Sequence, residues 1–316
     1  MAVPLYFDCD TGVDDALALA YLLGSPEVAI GGIGTVSGNV SAAQAADNTL
    51  RLLALAGRDL PVAVGEHHPI AGTFHGGAPQ VHGANGLGGL DLPAATAVPV
   101  AEDAADMLLR LSHEHDGALE ILAVGPLTNL ARALERDPAL PGRIAKVTIM
   151  GGAALVPGNI TPVAEANIGN DAEAARVVIA AEWPIVLVPL DSTMDNVLEE
   201  SDRVRLVEEG GRLASAVGRM LDHYFDFYVT EFGRRSSALH DPLAAALAVG
   251  GVRAVLAPAV PVEVDATDGP GRGQTICDLR GQRPGPVDRP GAHVRVVLRT
   301  EPDLAPHLLE RVLGRF

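Results

Sequence analysis

The stretch Tyr6-Phe7-Asp8-Cys9-Asp10-Thr11-Gly12-Val13-Asp14-Asp15 decides how this chain is read. Apolar Val3 to Phe7 predicts a short buried strand, and Ala16 to Leu23 predicts a helix. A strand that stops at a Gly-containing turn and feeds a helix sets its acids at the carboxyl edge of a sheet, where open α/β folds bind ligands. Asp14 and Asp15 fall in the first helical turn, where the helix dipole favours negative charge by roughly 0.3–1 kcal/mol each. The dipole does not account for Asp8 and Asp10. Four carboxylates this close repel one another unless a cation or a shared proton relieves them. Oxygen-only clusters suit hard ions such as Ca²⁺ or Mg²⁺. The alternative is a capped helix beside solvated acids.

Outward from this stretch the pattern repeats. Val28 to Val36 is a second apolar run ending in Ser37-Gly38-Asn39-Val40, and Ser41 predicts a helix cap, with the helix running to about Gly57. Pro61 to Val64 reads as a third strand. Residues 66–95 read as a long Gly/His-rich loop carrying His67, His68, His75 and His82, and loops of this length in compact chains are usually functional. Glu102 to His115 reads as a helix and Leu119 to Val124 as a strand. Pro126 suits a helix N1 position, which predicts a helix from Leu127 to Arg136. Ile144 to Met150 reads as a strand, Ala172 to Ala181 as a helix capped by Asp171, and Ile185 to Leu190 as the last strand of the run. Residues 195–235 look helical, His240-Asp241-Pro242 opens the helix Leu243 to Val249, and Val260 to Val264, Gln274 to Leu279 and Val294 to Leu298 read as strands. Glu301 to Leu313 closes the chain as a helix. Alternating short strands and helices predict an α/β fold: an open, mostly parallel Rossmann-like sheet flanked by helices, with a small additional C-terminal strand and helix region. Residues 1–316 are expected to form one domain.

Composition narrows the function. The 316 residues are 48% hydrophobic and carry 23 basic against 40 acidic side chains, a formal charge of −17. Such a surface repels nucleic acid and anionic membranes. Two cysteines, Cys9 and Cys277, imply neither a disulfide framework nor a Cys-based metal site. The N-terminus lacks a basic segment followed by an apolar core, and no stretch reaches the ~18 apolar residues of a membrane span. The expectation is a cytoplasmic protein.

Polar groups gather at the ends of the expected strands: Asp10, Asn39, Thr128, Asn159 to Asn167, Asp191 and His240-Asp241. In a parallel sheet these ends share one rim. No lysine or arginine stands immediately among them, and no turn gives a phosphate-binding glycine motif. The rim reads as a cation site surrounded by amides and carboxylates suited to the hydroxyls of a sugar or polyol.

Asp8-Cys9-Asp10-Thr11-Gly12-Val13-Asp14-Asp15-Ala16 resembles the N-terminal signature of the inosine–uridine nucleoside hydrolase family. Gly38-Asn39-Val40, His82-Gly83-Ala84-Asn85-Gly86-Leu87, Gly125-Pro126-Leu127-Thr128-Asn129-Leu130, Met150-Gly151-Gly152, Ala164-Glu165-Ala166-Asn167 and His240-Asp241-Pro242 follow in the family's order. The resemblance implies hydrolysis of the N-glycosidic bond of ribonucleosides, with a Ca²⁺ held by Asp10, Asp15, Asp241 and the carbonyl of Thr128. It implies that Asp14 and Asn39 hold the ribose hydroxyls nearest the ion, that Asn159, Glu165 and Asn167 hold the remaining ones, and that Met150 lines the substrate site. Asp10 would deprotonate the ion's water, whose pKa a cation lowers. His240 is the expected general acid to the departing base, its ordinary pKa near ~6.5 suiting that role; the alternative is a helix-entry residue beside Asp241.

His82 is expected to line the base pocket, the alternative being a solvated loop histidine, and Tyr224, Phe227 and Tyr228 to close over the base, the alternative being an aromatic core cluster in a helix. Asp8 is expected to support Asp10, and Asp191 to satisfy loop amides. Thr11 stands where the family usually has proline, and Asn85 where an acid is commoner. The histidines favour pyrimidine or mixed inosine/uridine nucleosides, and the resemblance implies a homodimer or homotetramer. Two rivals remain. One is a phosphatase resembling the haloacid dehalogenase family, whose D-x-D-x-[TV] motif fails at Gly12. The other is a non-enzymatic nucleoside or sugar receptor.

Overall fold

Seven consecutive residues, Val3–Cys9, form the strand β1, an interior strand of the main sheet; the computed structural model describes residues 2–282 and 285–315. Alternation along β1 sends Leu5, Phe7 and Cys9 into one apolar layer and Tyr6 into the other. Both faces are therefore buried, which is why the strand reads as a continuous apolar run. Fully burying a side chain such as Phe7 contributes about 1.5–3 kcal/mol.

The remaining elements follow in chain order. Helix α1 (Val13–Leu23) leaves the strand through Gly12, and β2 (Val28–Thr35) returns parallel to β1. Ser41 starts α2 (Ala42–Ala56) by accepting from the amide of Gln44, and Gly57 ends it with a φ of 63° that suits glycine. Next come β3 (Val62–Val64), α3 (Pro79–His82), α4 (Ala104–Glu114), β4 (Leu119–Ala123), α5 (Thr128–Arg136) and β5 (Ile144–Met150). They lead to α6 (Ala166–Asn170), α7 (Ala172–Ala180), β6 (Ile185–Val188), α8 (Leu190–Thr193), β7 (Val197–Glu199), α9 (Glu200–Glu209), α10 (Arg212–Phe232), β8 (Ser236–Ala238) and α11 (His240–Val249). The C-terminal part contributes β9 (Arg253–Leu256), β10 (Val262–Val264), β11 (Thr275–Cys277), β12 (Val294–Val296), β13 (Arg299–Glu301) and α12 (Leu304–Leu313).

The central sheet has seven strands in the order β12-β6-β5-β4-β1-β2-β3, every neighbouring pair parallel. Residues of α1, α2, α10, α11 and α12 fill one layer; α4, α5 and α7 fill the other. All carboxyl ends consequently point to one rim. Three small antiparallel pairs, β7–β8, β9–β13 and β10–β11, decorate the sheet. Among the described residues no helix is long and apolar enough to cross a membrane.

Several expectations need correction. Residues 66–95 contain the single turn α3, started by Pro79 at its first position. Pro126 lies outside α5, before the capping residue Leu127. The strand at 185 ends at Val188, because Pro189 has no N–H to donate to a ladder, and a helical turn follows. It is not the last of the parallel run, since β12 pairs with it from more than a hundred residues away. Residues 195–235 hold β7 and two helices separated at Gly210-Gly211.

Candidate functional site

Asp15 is the hinge of the site. Placed at the third position of α1, its Oδ2 accepts from the amide of Gly12 (2.8 Å) and its Oδ1 from the amide of Asp10 (3.1 Å), closing the turn on itself. Asn39, at the end of the turn after β2, clamps the neighbouring acid: its amide donates to Asp10 Oδ2 (2.7 Å) and its Nδ2 to Asp10 Oδ1 and Asp15 Oδ2 (3.2 Å each). Gly38 must be glycine for this approach, because a Cβ there would overlap the Asp10 carboxylate.

Asp14, Asp15 and Asp241 each offer one carboxylate oxygen, all within 4.8 Å of one another, and all three residues are buried. Asp241 arrives from the first turn of α11, more than two hundred residues away in sequence. The geometric trio thus contains Asp14 where the sequence reading has Asp10; Asp10 lies beside the trio, joined to it through Asp15 and Asn39. Thr128 sits in the first turn of α5, and its hydroxyl donates to Asp171 (2.7 Å).

Burial raises the proton affinity of these acids, and their mutual repulsion raises it further. Asp15 is pushed up to about 7 by burial and the adjacent Asp14. Asp10 is raised by burial, then by Asp15, and Asp241 by burial, then by Asp14, Asp15 and Asp10. No lysine or arginine forms an ion pair with them among the described residues; the nearest base is His82, 3.7 Å from Asp14 Oδ1. His82 is no counter-ion, because its Nδ1 accepts from the amide of Val13 (3.2 Å) and burial lowers its pKa. Among the described residues Asp14 Oδ1 is buried without a hydrogen-bond partner. Oxygen donors, uncompensated negative charge and an orphaned carboxylate oxygen together fit a hard divalent cation.

Above the acids opens a cleft of about 780 Å³. Asp14, Asn39, His82, Met150, Asn159, Glu165, Asn167, Tyr228, His240 and Asp241 line it, so every residue expected to touch substrate faces one cavity. Asp10, Asp15 and Thr128 are not among its lining residues. The hydrogen bonds show what each group has left to offer. Asn167 Nδ2 donates to the carbonyls of Val124 (2.8 Å) and Met150 (3.1 Å), leaving Oδ1 for a ligand. Asn159 Oδ1 accepts from Ala166 (2.9 Å), leaving Nδ2. Glu165 accepts from the amides of Gly152, Asn167 and Ile168, so its carboxylate also holds the loop around it.

His240 is held at both nitrogens: Nε2 lies 2.6 Å from the Tyr228 hydroxyl and Nδ1 2.7 Å from the Thr193 hydroxyl. Burial lowers its pKa to about 4, which corrects the expectation of an imidazole titrating near neutrality. Tyr224 donates to Asp14 Oδ2 (3.0 Å), linking the aromatic wall to the acids.

Among the described residues Asp8 makes no hydrogen bond to Asp10. It accepts from Tyr6 (2.8 Å) and Asn129 (3.0 Å), because its position in the alternation points it with Tyr6 rather than with Cys9. Burial pushes its carboxyl up to about 7. Asp191 accepts from the amides of Ala154 and Leu155 (2.8 Å each), the loop role read from its strand-end position. Asn85 is folded into its own turn, accepting from Leu87 and Gly89 (3.0 Å each). Sequence reasoning missed Met194, Asp195 and Glu231 in the cleft wall, and did not settle Phe227. The i, i+3, i+4, i+7 spacing of Tyr224, Phe227, Tyr228 and Glu231 on α10 was the available signal.

With this geometry in hand, comparison with known proteins gives a consistent result. The family model described as inosine-uridine preferring nucleoside hydrolase matches residues 5–304. The chain is 35% identical to the probable uridine nucleosidase 2 of Arabidopsis thaliana over 279 residues, 88% of this chain and 84% of that one. It is 38% identical to the pyrimidine-specific ribonucleoside hydrolase RihA of Enterobacter sp. over 244 residues, 77% of each. The solved structure of a purine-preferring ribonucleoside hydrolase from Gardnerella vaginalis superimposes with a TM-score of 0.90 at 31% identity, covering 99% of this chain and 98% of that one.

Proposed function

Because the chain belongs to the inosine-uridine preferring nucleoside hydrolase family, we propose that its cleft hydrolyses the N-glycosidic bond of ribonucleosides to ribose and free base, with pyrimidine nucleosides, or uridine together with inosine, preferred. Relatives named for uridine and for pyrimidine ribonucleosides support the preference. The observation that carries the reading is the buried, uncompensated group of carboxylates beneath a cleft lined by amides and hydroxyls.

We propose that Asp15 and Asp241 of the trio, together with Asp10 and the Thr128 carbonyl, would hold a Ca²⁺, leaving Asp14 for the ribose; when bound, such an ion would supply positive charge that draws in hydroxyls and acidifies a water. The protein's own groups do the rest. Asp14 and Asn39 orient the ribose, Asp14 being steadied by Tyr224. Asn159, Glu165 and Asn167 hold the far side of the sugar. Asp10 takes the proton of the attacking water at its carboxylate. As the C1′–N bond lengthens, positive charge develops on the sugar, and the surrounding carboxylates stabilise it. His240 Nε2 and the Tyr228 hydroxyl share a hydrogen bond beside the departing base; the base takes its proton from the Tyr228 hydroxyl, and that proton is replaced from solvent before the next turnover.

The decisive assay is base release from uridine, cytidine, inosine and adenosine with and without chelator. Uridine is expected to be turned over well, with activity lost on chelation and restored by calcium. Phosphate release from nucleotides without base release would instead favour the phosphatase reading, and tight nucleoside binding without turnover the receptor.

The acids also predict a pH signature. Asp15, raised to about 7 from its ordinary 3.8, stabilises the cation-free protein below about pH 4 and loses that contribution as pH rises through 7. An ion must displace those protons. Calcium is therefore expected to raise Tm more at pH 8 than at pH 5, which differential scanning calorimetry checks; an equal or reversed shift would contradict the assignment. We further propose a homodimer or homotetramer acting in the cytoplasm, where a reducing environment suits two free cysteines.

A further inference from the structure

Asp171 is buried, yet it does not line the cleft and takes no part in the reaction steps. It stands between α6 and α7, where its Oδ1 accepts from the amide of Ala174 (3.0 Å) and so caps α7. A cap needs no more than that: the Ser41 hydroxyl starts α2 with one amide. The second oxygen of Asp171 reaches outside its own helix. Oδ2 accepts from the Thr128 hydroxyl (2.7 Å) on α5 and from the amide of Ile70 (2.9 Å), partners 43 and 101 residues away. Hydrogen bonds to an ionised acceptor are about twice as strong as neutral ones, so a buried carboxylate with three donors is a firm anchor.

The anchored groups belong to different parts of the site. Thr128 is the residue whose carbonyl is proposed to help hold the cation. Helix α6, which runs into Asp171, begins at Glu165 and Asn167, both of which face the cleft. Ile70 belongs to the chain that leads to α3 and His82. We propose that Asp171 is a positioning residue, which holds Thr128 in place for the cation and the end of α6 in place for the ribose; the proposal rests on the cation and ribose roles given above. Asparagine cannot replace it. With a carboxamide oxygen towards Ala174, the Ile70 N–H faces an NH₂ group; with the oxygen towards Ile70, the Ala174 N–H does. Partners that orient a metal-holding residue typically matter by about 10–100-fold in metal affinity.

The test compares wild type, Asp171→Asn, Thr128→Val and the double variant by calcium titration calorimetry, steady-state rates on uridine and thermal melts. Thr128→Val removes the hydroxyl while keeping the side chain's shape, the main-chain carbonyl and the cap on α7. Each single substitution is expected to raise the calcium Kd about tenfold or more. The double variant is expected to match the weaker-binding single one, because both remove the same bond; effects that multiply overturn the proposal. With calcium saturating, Asp171→Asn is expected to raise KM for uridine about fivefold or more and to leave kcat within about threefold, since Asp171 touches neither the substrate nor the reacting atoms. A fall in kcat with KM kept overturns the proposal. A lowered Tm with calcium Kd and KM unchanged overturns it as well and leaves Asp171 a helix cap. Should Asp171→Asn fail to fold, Thr128→Val carries the test, and an unchanged calcium Kd there overturns the proposal. Wild-type protein that binds no calcium overturns the cation reading itself, whereas wild type and variants that bind calcium equally well overturn the proposal alone.

Discussion

Asp241→Asn is expected to abolish calcium binding at micromolar concentrations and to lower kcat/KM on uridine by about 10³-fold or more, roughly 4 kcal/mol of transition-state stabilisation. The substitution keeps the shape of the side chain at the start of α11 and removes one carboxylate from the buried set Asp10, Asp14, Asp15 and Asp241. Repulsion among Asp10, Asp14 and Asp15 then falls, so the protein without cation is expected to gain stability in thermal melts while losing activity. That combination separates a ligand from a structural acid, whose loss would lower both. Unchanged calcium affinity would contradict the ligand assignment, and a lowered Tm would return Asp241 to a structural role.

His240→Ala is expected to cost about 10²–10³-fold in kcat on uridine with little change in KM, since the residue is proposed to act on the leaving base through the Tyr228 hydroxyl. Its environment sets the sign of the pH effects. Burial holds the imidazole neutral down to about pH 4, well below its ordinary 6.5. The unfolded chain binds that proton more readily, so the wild type loses stability as pH falls from about 6.5 towards 4, and His240→Ala should flatten this part of the profile. Tyr228→Phe removes the hydroxyl 2.6 Å from Nε2 and leaves the ring in place, so a loss in kcat of similar size is expected. A large rise in KM with kcat preserved would assign the pair to substrate binding instead.

What the sequence revealed follows from the range of the interactions involved. The β1–Gly12–α1 unit was legible because its signals are local: an apolar run, a glycine and acids in the first helical turn. Ser41 and Asp171 were legible as caps for the same reason, each accepting from an amide three residues on. Long-range geometry was not. Asp8 follows β1's alternation towards Asn129, 121 residues away, and nothing near Asp8 announces that partner. β12 joins the sheet beside β6 although Gly/Pro-rich chain surrounds it. The depressed pKa of His240 depends on burial between Thr193 and Tyr228, which its sequence neighbours do not disclose. The family resemblance supplied the convergence of Asp15 with Asp241; the alternation of strands and helices alone said only that such ends share a rim.

The most direct test of this convergence is a crystal structure grown with calcium and an unreactive nucleoside analogue. One ion is expected, with oxygens of Asp10, Asp15 and Asp241 and the Thr128 carbonyl at about 2.3–2.6 Å and the ribose hydroxyls completing its shell. An ion bound elsewhere, or the acids of α1 and α11 turned away from a common centre with the analogue in the cleft, would contradict the account.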